Sequence, residues 1–186
     1  MTNKRETGDY TKILKKFLKL LNNECAVEEV VMDFERATWL AFQQVFLNAI
    51  LRGCAFHWTQ SLFRNLKKIG LVPVCRSNPR VQILCKRAMS LHLLPPTKIV
   101  KLFPKLKKKA TKLKIVLLDK FFNYIENTWL QPGIRSLEAW SIFFQIIRTN
   151  NDAEGWHNKL NSKGKGAGLH FYQLVDLLFA ESVCPS

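Results

Sequence analysis

The spacing of apolar and polar positions in the first part of the chain predicts a surface helix, a short strand and a second helix. Residues 9–21 place apolar side chains every three or four positions with lysines between them, which is typical of a helix with one buried face. Residues 27–32, which are apolar at Val27 and from Val30 to Met32, lead into Asp33 and predict a short strand, and residues 34–46 continue as a helical stripe. We expect the first helix to lie on the sheet with its lysines in water.

A second apolar run, residues 50–56, predicts another short strand, and the helical stripe that follows it ends at Gly70. A helix therefore separates two strands, and this order predicts parallel pairing with a right-handed crossover. An acidic side chain at the carboxyl end of such a strand projects into the crevice above the sheet edge, which makes Asp33 the first candidate for a functional residue. Two strands are too few for a stable sheet, so we expect an exposed strand edge that favours self-association.

The remainder of the chain predicts helices. A helix over residues 81–94 must end before Pro95, because proline cannot continue it. Apolar positions from Leu106 to Thr128 keep an uninterrupted three-and-four spacing, which predicts one long helix. After this helix the sequence predicts a buried apolar segment over residues 137–147 and a helix over residues 152–160. A glycine-rich loop over residues 162–168 and a last helix over residues 171–179 follow.

The charge balance indicates polyanionic partners. Among 186 residues, 29 Lys and Arg oppose 14 Asp and Glu, which gives a formal net charge of +15. Such an excess attracts nucleic acid, although a lysine-rich surface that only keeps the chain in solution has the same composition. The sequence has a polar N-terminus and no apolar stretch long enough for a membrane span, so we expect an intracellular protein with no membrane partner. Five cysteines without paired spacing favour free thiols.

Lysines are concentrated between residues 98 and 114. Three interpretations are open: a solvated helix face, a face that contacts DNA phosphates without reading sequence, or a nuclear-import signal within residues 105–109. The candidates for DNA contact are Lys105, Lys107, Lys108, Lys109 and Lys112.

Three short motifs follow one another along the chain. Residues 33–37 read Asp-Phe-Glu-Arg-Ala, and residues 53–60 include Cys54 and His57. The third motif, residues 148–157, contains Asn150, Asn151, Glu154 and His157. In this order the motifs resemble those of the catalytic domain of Mutator-like element (MULE) transposases, and the resemblance extends over most of the chain.

The resemblance implies a ribonuclease-H-like fold with an all-helical insertion, so that the chain is α/β and predominantly helical. Residues 1–73 are then a partial core of two short strands and three helices, residues 74–147 the insertion, and residues 148–186 the helices that return the last acid to the core. Metal-dependent cleavage and strand transfer on DNA, in the nucleus, are implied as well. Asp33 and Glu154 match the family's second and third acids, which bind Mg²⁺ or Mn²⁺ because hard cations prefer oxygen ligands.

The family's first acid lies on an earlier strand, and the segment before Asp9 contains only Glu6 and no strand pattern. We therefore expect an incomplete two-metal site and no DNA cleavage by this chain alone. The alternatives are a non-enzymatic DNA-binding or interaction protein derived from a transposase, and an unstable remnant of a transposase that has no function.

Both acids also have a structural interpretation. With Asn151 as N-cap, Glu154 falls at the third helical position, where it would complete a capping box. Asp33 could likewise be the N-cap of a helix that begins at Phe34. Either role is compatible with metal binding by the same side chain.

Cys54 and His57 have the spacing of half a zinc site, and His157 could supply a third ligand. A second close pair of Cys or His is missing from the sequence. The other interpretation is a buried thiol beside a histidine that makes one hydrogen bond.

Overall fold

A computed structural model of the chain describes residues 6–22, 26–131, 133, 136–151, 155, 158 and 162. The chain divides into two compact units, Met1–Thr149 and Asn150–Ser186. The described part of the first unit is predominantly helical with a small parallel sheet. Its strands and helices are α1 Thr7–Leu20, β1 Glu29–Met32, α2 Arg36–Val45, β2 Ile50–Gly53, α3 Ala55–Lys68, α4 Leu71–Ser77, α5 Pro79–Met89, α6 Pro96–Thr111, α7 Val116–Ile125 and α8 Leu137–Trp140.

The sheet has the predicted parallel pairing. Strand β1 pairs with β2 in the register Glu29 with Ile50 through Met32 with Gly53, and α2 connects them. Strand β2 is shorter than predicted, because the backbone N–H of Cys54 makes the last bond, 2.8 Å to the Met32 carbonyl, and α3 begins at the next residue. Helix α3 ends near Gly70, whose φ of 75° is in the left-handed region that glycine adopts without strain.

Helix α1 packs on α2, which corrects the expectation that it lies on the sheet. The Tyr10 hydroxyl donates to the Glu35 carboxylate at 3.3 Å, and Thr11 Oγ1 donates to Gln44 Oε1 at 3.1 Å. The two strands have 4 residues each and α1 has 14, so the sheet is too small to cover the helix. As a result Leu20 remains 71% exposed.

The main hydrophobic core lies among α3, α4, α5, α6 and α7 and is centred on aromatic side chains. Trp58 is fully buried, stacks on Trp140 with ring centroids 4.2 Å apart and meets Trp129 edge-on at 4.7 Å. Its indole N–H donates to the Met89 carbonyl at 3.1 Å, so the polar atom of the ring is satisfied. A smaller cluster of Met32, Trp39 and Ala139 covers the sheet.

The prediction of one long helix from Leu106 to Thr128 is wrong. Helix α6 ends at Thr111, Lys114 has a φ of 54°, and α7 begins at Val116. The two helices then pack against each other as a hairpin, in which Thr111 Oγ1 donates to Asp119 Oδ1 at 3.0 Å. Packing two apolar faces together buries more surface than a single extended helix would, whereas the apolar spacing is the same in both arrangements.

The segment 137–147 is buried only in its first half. Trp140 Nε1 donates to the Trp129 carbonyl at 3.1 Å, and Ser141 Oγ donates to the Leu94 carbonyl at 2.7 Å. Beyond these two hydrogen bonds the side chains are exposed to solvent, and Phe144 and Ile146 are 90% and 97% exposed. The expected burial up to residue 147 is therefore wrong for the second half.

The second unit is described at a few positions only. Residues 151, 155, 158 and 162 are helical, and Ser162 Oγ donates to the Asn158 carbonyl at 2.8 Å. Ser162 thus belongs to a helix rather than to the predicted loop. The predicted helix over residues 171–179 lies outside the described residues.

The described cysteines Cys54, Cys75 and Cys85 are free thiols, as predicted. The sulfur atoms of Cys75 and Cys85 are 3.6 Å apart, and burial raises the pKa of the Cys85 thiol well above its ordinary value. Within the described part of the chain, no helix is both long enough and apolar enough to cross a membrane.

Acidification is expected to destabilise the fold through His92. This residue is 9% exposed, its Nδ1 donates to the Met89 carbonyl at 2.9 Å, and burial lowers the pKa of its imidazole below the ordinary 6.5. Because the folded pKa is the lower one, the stabilising contribution is complete above pH 6.5 and is lost as the pH falls from 6.5 through the folded pKa. Urea unfolding at about pH 7.5 and about pH 5.5 measures the loss. His92→Gln should show a smaller pH dependence, and an unchanged one would contradict the assignment.

Candidate functional site

Asp33 follows the last residue of β1 and lies at the carboxyl end of the parallel sheet. Its Oδ1 accepts a hydrogen bond from the backbone N–H of Glu35 at 3.1 Å, and its backbone carbonyl accepts one from Trp39 Nε1 at 2.7 Å. These bonds hold the turn that leads from the strand into α2. A carboxylate can accept about four hydrogen bonds or ligand bonds, so this contact leaves capacity for a cation.

Asp33 is not the N-cap of α2. The helix begins at Arg36 with Glu35 as its N-cap residue, two positions later than the sequence suggested. Asp33 instead forms an Asx-type turn with the residue two positions on. The Asp33 carboxylate therefore does not cap α2, although one of its oxygens accepts the hydrogen bond of the turn.

The ring of Phe34 fixes the backbone beside Asp33. It meets Trp129 edge-on, with centroids 4.7 Å apart, and it covers Gly53, where a Cβ atom would overlap the ring. Glycine at this position therefore allows the aromatic ring to lie directly on β2. This packing ties the turn at Asp33 to the paired strand and to the helical region.

A cleft of about 560 Å³ opens at this end of the sheet. Asp33 and Glu35 lie on one side, and Tyr124, Thr128 and Trp129 close another. The remaining wall is one face of α3, formed by His57, Gln60, Ser61, Arg64, Asn65 and Lys68. Asp33 and His57 thus line the same cleft.

Apart from His57, the polar face of α3 is the part of the site that sequence reasoning missed. His57, Ser61, Arg64 and Lys68 follow one another at steps of three or four, and the residues Trp58, Leu62 and Leu66 form the buried face. Ser61 Oγ and the Tyr124 hydroxyl are 2.9 Å apart, which joins this wall to α7. The helical spacing of these polar residues was visible in the sequence, but nothing in it indicated that they face Asp33.

The two members of the Cys-x-x-His motif have different surroundings. Cys54 is fully buried at the start of α3, whereas His57 is half-buried and lines the cleft. Among the described residues, no three His, Cys, Asp or Glu side chains form a group that could hold a metal ion. The zinc interpretation stays a prediction, because His157 lies outside those residues.

Asp33 is the described residue best suited to a hard divalent cation, since Mg²⁺ is often held by one or two carboxylates together with phosphate oxygens. Glu35 lines the same cleft and also accepts from Tyr10. Glu154 lies outside the described residues, so its metal-binding role and its capping role both stay predictions. Asn150 and Asn151 belong to the second unit, and Asn151 is already helical there rather than at an N-cap position.

The lysines of α6 divide into two groups. Lys107 lies at the boundary with α7 and donates to Glu126 Oε2 at 2.6 Å, so it is not part of the exposed cationic surface. The others point to solvent on one side of the helix and its C-cap, opposite the buried Ile99, Phe103 and Leu106. We call this surface the lysine face, and it consists of Lys98, Lys101, Lys105, Lys108, Lys109 and Lys112.

Comparison of the chain with protein-family models, with curated proteins and with solved structures finds no match.

Proposed function

We propose that the chain derives from the catalytic domain of a Mutator-like transposase, with a ribonuclease-H-like fold, and that the cleft beside Asp33 receives the phosphodiester backbone of DNA. The order of the three motifs supports the family. The parallel β1–β2 pair with a helical crossover is compatible with such a fold. The formal charge of +15 suits a polyanionic partner.

The observation that carries the proposal is the chemistry of the cleft. A carboxylate, Asp33, faces a helix wall that includes Arg64 and Lys68. The guanidinium and the ammonium group attract phosphate, whereas the carboxylate alone repels it. A divalent cation held by Asp33 would offset that repulsion, because Mg²⁺ and Mn²⁺ attract carboxylate and phosphate oxygens alike.

Each residue then has a distinct role. Asp33 would hold Mg²⁺ or Mn²⁺, and Arg64 and Lys68 would bind phosphates along the face of α3. When bound, the cation supplies Lewis-acid stabilisation of charge on a phosphoryl oxygen. Glu154 is the carboxylate that the family motif offers as a further ligand.

A cation-dependent gain in DNA affinity tests the role of Asp33. With Mn²⁺ the wild-type chain should bind duplex DNA several-fold more tightly than in a chelator, because the cation replaces repulsion by attraction. In the absence of Mn²⁺, Asp33→Asn should bind DNA slightly more tightly than the wild-type chain does. Addition of Mn²⁺ should not increase the DNA affinity of this variant. Fluorescence anisotropy at fixed ionic strength measures both.

The matched control is Glu28→Gln, which removes the same charge just before the opposite end of β1 and should keep the gain. An equal gain in wild type and Asp33→Asn would reject the site. Arg64→Gln should weaken DNA binding in both conditions, since it acts on phosphate and not on the cation.

The second candidate function is non-enzymatic DNA binding, and the exposed lysine face favours it. Incubation of supercoiled plasmid with Mn²⁺ tests for cleavage in the same samples. Cleavage that Asp33→Asn and Glu154→Ala both abolish would show a complete catalytic site and would overturn the sequence-based expectation of no cleavage by this chain alone. Binding without cleavage is expected of both candidates, whereas DNA binding that Mn²⁺ does not strengthen would favour the second.

A further inference from the structure

An apolar groove with a basic rim lies between the C-terminal half of α5 and the middle of α6, away from the cleft at Asp33. Its volume is about 570 Å³, which is in the range of ligand-sized pockets. Leu93, Leu94, Leu102 and Leu106 form its floor. Leu93 and Leu102 are 49% and 36% exposed, so their apolar surface is available to another molecule.

The rim of the groove is cationic on both sides. Lys86 and Arg87 lie on α5, and Lys105 and Lys109 lie on α6. Among the described residues, no carboxylate lines the groove. The rim therefore attracts acidic groups, while the leucine floor favours apolar side chains.

We propose that this groove binds an acidic amphipathic helix from a partner protein. A helix that lays an apolar face into a groove presents side chains at spacings of three, four and seven, and it needs a floor of apolar side chains. Glutamates beside that apolar face would meet the four cations of the rim. Duplex DNA fits less well, because its phosphates gain nothing from a leucine floor.

The probe is a fluorescein-labelled peptide of about 15 residues with leucines along one helical face and glutamates at most other positions. The control peptide has the same composition with the leucines distributed around the helix. Anisotropy should show binding of the first peptide and at least about tenfold weaker binding of the second, equivalent to about 1.4 kcal/mol. Equal affinities would mean attraction by charge alone and would overturn the proposal.

Variants of the chain test the floor and the rim separately. The double variant Leu93→Ser, Leu102→Ser should bind the peptide at least about tenfold more weakly, since these exposed leucines supply the apolar contacts. This double variant should leave DNA affinity and melting temperature nearly unchanged. Unchanged peptide affinity would overturn the proposal and leave the groove as part of the basic surface.

The charge variant is Lys86→Gln with Arg87→Gln, and its matched control is Lys98→Gln with Lys101→Gln on the part of α6 outside the groove. The first pair of substitutions should lower the affinity for the peptide and reduce the salt dependence of its binding, whereas the second pair should change neither. Equal losses in the two pairs would reject a rim-specific role. A different outcome is that the chain binds no peptide but self-associates, and that Leu93→Ser with Leu102→Ser abolishes this self-association. This result would identify a second copy of the chain as the occupant and overturn the acidic-helix proposal.

Discussion

Raising the salt concentration from about 50 to about 200 mM is expected to weaken duplex DNA binding by roughly a thousandfold, because phosphate contacts release condensed counterions. Under the proposed DNA-binding role, the lysine face would supply most of these contacts, in addition to Arg64 and Lys68. Six exposed lysines that each neutralise one phosphate give a slope of about −5 in a plot of log affinity against log salt. A stacking contribution is small, since the face contains no aromatic side chain.

Lysine-to-glutamine replacement at four positions of the lysine face tests this expectation. With Lys105, Lys108, Lys109 and Lys112 changed, the salt slope should become shallower by about four, roughly one for each lost phosphate contact. The matched control makes the same four-charge change on α1, where the exposed lysines are Lys12, Lys15, Lys16 and Lys19. Equal effects in the two variants would mean that net charge, and not the lysine face, determines binding. Anisotropy titrations over a salt series give both slopes.

Trp58→Ala is expected to destabilise the first unit by about 3–5 kcal/mol, the usual cost of removing a large aromatic side chain from a core. Trp58 is fully buried, stacks on Trp140 and donates a hydrogen bond to the Met89 carbonyl. The substitution leaves a large cavity and removes one of the two side-chain hydrogen bonds to the Met89 carbonyl, to which His92 Nδ1 also donates. Since domains of this size are stable by about 5–15 kcal/mol, much of the structure around α3 should unfold under mild conditions.

Chemical denaturation followed by far-UV circular dichroism measures the loss. The control is Trp58→Phe, which keeps an apolar ring but loses the indole N–H, and it should cost clearly less than Trp58→Ala. A cost below about 1 kcal/mol for Trp58→Ala would contradict the central position of this side chain in the core. The cleft wall of α3 should lose order together with the core, so any DNA affinity that depends on the proposed contact of Arg64 should fall as well.

The sequence predicted the elements whose signals are local. The strand before Asp33, the parallel pairing and the limits of α3 at Gly70 all follow from short-range patterns of apolar residues and glycine. Helix α5 was anticipated too, from its apolar stripe, although it begins two residues earlier than predicted and ends at Met89, well before Pro95. Its cap is made by Asn78 Oδ1, which accepts from the backbone N–H of Arg80 at 3.0 Å.

The sequence did not predict where the helical run after residue 96 breaks. The apolar spacing over residues 106–128 is common to one long helix and to two helices that fold back on each other. The helical run is interrupted at Lys114 and Ile115, where the backbone dihedral angles leave the right-handed helical region. Only contacts across the hairpin, such as Phe103 with Phe122 at 5.9 Å, favour the fold-back, and they are long-range.

The candidate site shows the same division. Asp33 was identified from its place after a strand, because the end of a parallel strand is where a sheet exposes functional groups. The sequence could not assign the cleft wall, since residues of α3 and of the Tyr124–Trp129 region meet only when the helices pack around Trp58.

By itself the sequence therefore determined the net charge, the βαβ order, the position of Asp33 directly after a strand and most of the helical segments. The tertiary structure decided which polar residues face Asp33, which lysines reach solvent and where α6 gives way to α7. The physical reason is range: periodicity and capping act within a few residues. Burial of aromatic side chains and pairing of charges such as Lys107 with Glu126 depend on contacts between residues far apart in the chain.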